Sequence, residues 1–135
     1  MAAFERLPVT ITADDLLLDG FGDRPQFAVF VAECDGVLAG YALYHASYSS
    51  FQGRAIFLED LFVSPSFRGR RVARALLAAV AAVATQQACF GIVLNVLGWN
   101  DRGLEFFTKA GATVLEGWKT LTITGDALHS ASAGR

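Results

Sequence analysis

The sequence predicts an α/β (α+β) fold, a mixed and mainly antiparallel sheet flanked by helices. Three observations lead there. Three apolar runs of strand length follow one another between residues 27 and 63, separated by turn signals. The best helix of the chain comes next, from about residue 70 to 87, rich in the strong helix formers Ala and Leu. A further apolar run covers residues 90–96, and the order strand, long helix, strand suggests a parallel crossover.

Composition sets the bounds. A chain of 135 residues fits one domain with one core, residues 1–135, with a small polar tail at 130–135 expected to be frayed. The hydrophobic share is 53% and the charged share 18%, so burial is well supplied and disorder is disfavoured. A net charge of −2 gives no electrostatic case for nucleic acid, which needs a basic face. The longest purely apolar run, residues 75–84, falls short of the roughly 20 residues that span a bilayer. The opening residues, with Glu5 and Arg6, do not read as a secretory signal. A soluble, cytoplasmic protein is expected. Cys34 and Cys89 lack metal-ligand spacing, and each reads as a buried free thiol.

The elements follow in order. Thr12-Ala13-Asp14-Asp15 resembles a capping box ahead of Leu16, Leu17 and Leu18, and Gly20 to Asp23 stops that short helix. The run at 27–33 reads as a buried strand, and Asp35-Gly36 as a hairpin turn. A second strand runs from Val37 to about Ser47. A turn at 49–53 leads to a third at 55–63. In the long helix, Leu76, Leu77, Val80 and Val83 supply a core-facing stripe. Asn100 is placed to cap a second helix that runs to about Ala110 and closes at Gly111. Two short strands, at 114–116 and 118–123, are expected after it, joined near Gly117.

Three segments carry candidate chemistry. The first is Val63-Ser64-Pro65-Ser66-Phe67-Arg68-Gly69-Arg70-Arg71-Val72-Ala73, a strand end, a basic loop and a helix start. Backbone N–H groups, the positive helix end and the arginines suit an anion such as a pyrophosphate. An ordinary turn with solvated arginines fits the loop equally well. The second is Glu59-Asp60, which interrupts an apolar strand. Neighbours in a strand point to opposite faces, so at least one carboxylate meets a core or a cleft. A cleft that uses the charge is favoured for Glu59, while Asp60 is balanced between a cleft and a salt bridge. The third runs from Trp99 to Ala112, and alone it reads as a capped amphipathic helix with Phe106 and Phe107 partly in the core.

Taken together, these segments resemble the GNAT acetyltransferases, and most closely the diamine (spermidine/spermine) acetyltransferases. The resemblance rests on Asp15-Leu16-Leu17-Leu18-Asp19-Gly20-Phe21-Gly22, on Leu58-Glu59-Asp60-Leu61-Phe62-Val63, on Arg68-Gly69, and on Trp99-Asn100 with the Gly111-Ala112 end. It covers about residues 9–128. It implies an enzyme that moves an acetyl group from acetyl-CoA (coenzyme A) to a primary amine of a small cationic substrate, such as a polyamine, a diamine or a lysine-like amino acid. By resemblance, Leu61, Phe62 and Val63 offer backbone groups to the pantetheine. Arg68, Gly69, Arg70, Arg71, Val72 and Ala73 hold the pyrophosphate, and Asn100 and Lys109 contact the cofactor. Glu59 lies beside the amine and helps remove its proton, and Asp60 joins it in binding the cationic substrate. No metal, nucleic acid or membrane partner is implied. A homodimer is usual in that family.

Three departures stand out. The usual first strand and helix have too few residues ahead of Thr12, which would leave a sheet edge open to a partner. Arg71 stands where the loop pattern has Gly. Phe107 stands where the helix carries the Tyr that protonates the leaving thiolate, a contribution worth roughly 10²–10⁴-fold. Tyr41, Tyr44 and Tyr48 are alternative hydroxyls, each read first as strand packing. These departures keep open a second reading, a non-catalytic or weakly active acyl-CoA-binding or regulatory module. A weaker third reading is an acetyltransferase for a protein or an antibiotic.

Overall fold

A computed structural model describes residues 9–134. The opening seven residues and the expectation of an absent first strand and helix fall on, or begin in, residues outside the described ones. The chain divides into two compact units, Met1–Leu97 and Gly98–Arg135, and each is taken by itself.

The first unit opens with helix α1 (Ala13–Phe21). Thr12 is its N-cap: its hydroxyl accepts from the Asp15 N–H at 3.1 Å, while the Asp15 carboxylate accepts from the Thr12 N–H at 2.8 Å. That reciprocal pair is the capping box the sequence announces. Strands β1 (Ala28–Cys34), β2 (Val37–Ser49) and β3 (Gly53–Val63) then form two antiparallel pairs. Asp35 (φ 52°) and Gly36 (φ 78°) make the first hairpin, both left-handed as a two-residue turn of this kind requires.

After a 3-10 turn (Pro65–Phe67), helix α2 (Val72–Gln86) crosses the sheet and delivers β4 (Gly91–Leu94) parallel to β3. The sheet order is β1-β2-β3-β4, and α2 packs across all four strands. Its buried stripe is Val72, Leu76, Val80 and Ala84, a strict i, i+4 row. Leu77 and Val83, expected in that row, stand half-exposed beside it. Ala39, Ala42, Ala55, Ile56 and Leu58 make up the rest of the buried apolar core. Small residues on β2 let the helix approach closely. Cys34 and Cys89 are free, but half-buried instead of buried: Cys34 ends β1, and Cys89 lies in the connection between α2 and β4.

The second unit holds α3 (Asp101–Lys109) and α4 (Gly125–Ser132). The strands expected at 114–116 and 118–123 are not formed, and α4 stands where no element was expected, running into the segment taken as frayed. The apolar residues Val114, Leu115, Trp118, Leu121 and Ile123 are all exposed. The sequence there has strand character. A strand also needs a neighbour for its backbone groups, and none of the four described strands pairs with it.

Candidate active site

β3 is where the site residues gather. Its pairing with β2 shifts between Leu43 and Tyr44: Leu43 faces Asp60 and Tyr44 faces Leu58, so Glu59 is the extra residue of a bulge. A bulge bends the strand and re-aims a side chain. Without it, Glu59 and Asp60 would point to opposite faces. With it, both carboxylates reach the same side of the sheet as Tyr41, Leu43 and His45 of β2. Glu59 Oε2 lies 3.6 Å from His45 Nε2. The Tyr41 hydroxyl donates to Asp60 Oδ2 at 3.4 Å. Phe57 stacks on His45 with centroids 5.2 Å apart, and Phe62 lies 6.0 Å from the Tyr41 ring. This face therefore combines two carboxylates, an imidazole and a phenol on an aromatic floor.

The two acids differ in setting. Asp60 is half-buried, and desolvation holds its carboxyl above the usual carboxylate range. Repulsion from Glu59 adds to that, and the Tyr41 hydrogen bond partly offsets it. Glu59 is more exposed and stands beside His45. Glu59 has an imidazole neighbour on the open face, and Asp60 is partnered by a phenol, not by an arginine.

Beyond this pair, β3 continues through Leu61, Phe62 and Val63, while the β3–β4 ladder stops at Leu58 paired with Leu94. The β4-facing backbone edge of residues 59–63 therefore has no strand partner among the described residues. An open edge of this kind can hydrogen-bond an extended ligand as an added strand. The apolar run expected to carry β4 to residue 96 ends two residues earlier, which is what opens that edge.

The basic loop follows. The Ser64 N–H donates to the Ala39 carbonyl at 2.8 Å, pinning the strand end. Arg68 folds back so that its Nε donates to the Val63 carbonyl at 3.4 Å, and Arg70 lies over the Phe67 ring at 5.5 Å. Gly69 takes φ 80°, a conformation glycine adopts without cost. Arg71 is exposed and left-handed as well, at φ 61° and ψ 22°. Val72 is buried and Ala73 half-buried at the start of α2. No side chain caps this helix end, and its first turn has no acidic residue. An uncapped positive helix end ringed by arginines fits a pyrophosphate. The open edge and this loop together are the observations that fit coenzyme A.

In the second unit, the Asn100 side-chain oxygen accepts from the Gly103 N–H at 3.0 Å, so it is spent on the N-cap. Lys109 pairs with Glu105 at 2.8 Å, which also holds the Glu105 carboxyl below its usual range. Phe107 is half-exposed and meets Phe106 edge-on at 5.1 Å. Sequence reasoning placed the carboxylates and the loop but missed His45, and took Tyr41 first as packing. The alternation Tyr41, Leu43, His45 along β2 was the available signal.

Residues 2–112 match the family model described as acetyltransferase (GNAT) family. The chain belongs to the GNAT acetyltransferase family. Its match to thialysine N-epsilon-acetyltransferase of Bos taurus is 36% identical over 142 residues, covering 96% of this chain and 84% of that protein. Spermidine/spermine N(1)-acetyltransferase-like protein 1 of Homo sapiens is 32% identical over 130 residues, 87% of this chain and 19% of that longer protein. Among solved structures, an aminoglycoside N-acetyltransferase in complex with CoA superposes with a TM-score of 0.68 at 29% identity, covering 81% of this chain and 86% of its own. The GNAT fold expected from the sequence is therefore the fold observed, a four-stranded mixed sheet with its crossover helix.

Proposed function

We propose that this GNAT acetyltransferase moves an acetyl group from acetyl-CoA to a primary amine of a small cationic substrate, in the class of thialysine, polyamines and other diamines. The observation that carries this reading is the bulge at Glu59, which puts two carboxylates on one face beside the open backbone edge of residues 61–63. Negative charge there attracts an ammonium group. Acetyl-CoA, when bound, supplies the activated acetyl group. Residues 61–63 align it through their backbone edge. Arg68, Gly69, Arg70, Arg71, Val72 and Ala73 surround its phosphates. Glu59 and Asp60 hold the amine, and Glu59 assists its deprotonation, since an alkylammonium must lose a proton before it can attack.

The family match crosses from one compact unit to the other, which supports one acyl-CoA-binding domain over residues 1–135. Phe107 lacks the proton a tyrosine would give, so turnover is slowed, not abolished. Asn100 and Lys109 act from α3, Asn100 mainly by fixing the helix start. The exposed apolar segment at 114–123 supports a homodimer in which a second copy covers it. Two free thiols suit a reducing, cytoplasmic setting.

Replacing Glu59 with Gln tests the reading. Turnover at neutral pH is expected to fall by about 10²-fold, while the calorimetric affinity for acetyl-CoA stays within twofold of wild type. Full retention of turnover in Glu59→Gln would remove Glu59 from the reaction.

A further inference from the structure

Among the described residues of the acidic face, His45 is the group suited to proton transfer near neutral pH that the family resemblance leaves without a task. Its surroundings are specific. Nδ1 lies 3.1 Å from the Ala46 carbonyl oxygen, Nε2 lies 3.6 Å from the Glu59 carboxylate, and the ring stacks on Phe57 with planes 16° apart. Donation from Nδ1–H to the carbonyl places the ring's lone pair on Nε2, facing the side where Glu59 stands. The aromatic stack fixes the ring plane. Among the described residues, Asp60 of β3 and Tyr41 of β2 also titrate on this face, and they are bonded to each other.

An ammonium drawn to Glu59 by charge arrives beside Nε2. Two acceptors then compete for its proton. Imidazoles as a class are stronger bases than carboxylates by about two pK units, so transfer to the ring is the less uphill step. Transfer to the ring also leaves the positive charge beside Glu59, where it began, so no charge is separated. We propose that His45 accepts the proton of the substrate ammonium, while Glu59 holds first the ammonium and then the imidazolium. In that step one N–H bond of the ammonium breaks and its electron pair stays on the amine nitrogen as the nucleophilic lone pair. The proton forms a new bond to Nε2. This assignment rests on the amine acetyltransfer proposed above.

The test is a pH profile of kcat/KM between about pH 6 and pH 10 for wild type, His45→Gln and Glu59→Gln. The acceptors are thialysine and spermidine, with acetyl-CoA affinity measured alongside. His45→Gln is expected to lose about 10²-fold at pH 7, and to recover toward wild type as pH rises and free amine becomes abundant. Its acetyl-CoA affinity is expected to be unchanged. Added imidazole is expected to restore activity to His45→Ala. Wild-type activity in His45→Gln overturns the assignment while leaving amine acetyltransfer standing. So does an equal loss at every pH without imidazole rescue, which marks a packing role. A wild-type protein that acetylates neither amine removes both readings together.

Discussion

Asp60 and Glu59 are adjacent, yet the bulge gives them different surroundings, and titration should separate them. Desolvation first, and Glu59 second, raise the Asp60 pKa in the folded chain above its ordinary value of 3.8. The folded chain then binds that proton more readily than the unfolded chain does. Stability contributed by protonated Asp60 is present at low pH and lost as pH rises through the raised pKa. Asp60→Asn keeps an oxygen for the Tyr41 hydroxyl and removes the charge. It is expected to melt above wild type at pH 7, with the gap closing as pH falls to 3.8 and below; thermal melts across pH would show a gap of the opposite trend if Asp60 were stabilised as an anion. Phe107 offers a second residue-scale check. It is half-exposed and edge-on to Phe106, so a para hydroxyl can be added without disturbing a buried contact. Phe107→Tyr is expected to raise kcat for acetyl transfer about tenfold or more. An unchanged kcat would mean that proton donation to the thiolate does not limit the rate. The acids and Phe107 were legible in the sequence. The partnership of His45 with Glu59 was not, because it depends on a bulge that no residue type announces.

At the level of elements, turn chemistry and apolar period carried most of the information. The Thr12 capping box, the Asp35-Gly36 hairpin and the Ala-rich helix are local signals, and each appears where expected. The loop before α2 shows the limit of such signals. Its charge was readable, but the left-handed backbone at Arg71 was not, since arginine gives no hint of it. That conformation costs a non-glycine residue about 1–2 kcal/mol, which accounts for glycine being usual at this position. On the proposed reading, arginine here trades stability for a charge at the phosphates of the cofactor. Arg71→Gly is expected to gain about 1 kcal/mol in denaturant unfolding, and to weaken acetyl-CoA binding by a few-fold with a smaller salt dependence. Tighter binding in Arg71→Gly would instead mean that the side chain crowds the phosphates. The end of α2 is similar: Ala88 is left-handed at φ 56° without a glycine to mark it.

For the whole molecule, the antiparallel hairpins and the parallel crossover were legible because each step joins neighbours along the chain. The segment at 114–123 was not. Its residues have strand character, but whether they form strands depends on a backbone partner elsewhere, and local sequence cannot supply that. The early end of β4 is of the same kind, and it matters most for function, because it leaves the edge of residues 59–63 open. The acidic face, that edge and the arginine loop all lie within the first compact unit, and together they support the proposed acetyl transfer to an amine. Its most direct test is thiol release from acetyl-CoA by the full chain, measured with thialysine, spermidine, simple diamines and an aminoglycoside as acceptors. Acetyl transfer to an amine requires thiol release with at least one small diamine-like amine, accompanied by the acetylated amine as product. Saturable acetyl-CoA binding without thiol release from any acceptor would contradict it, and would identify the chain as a binding module.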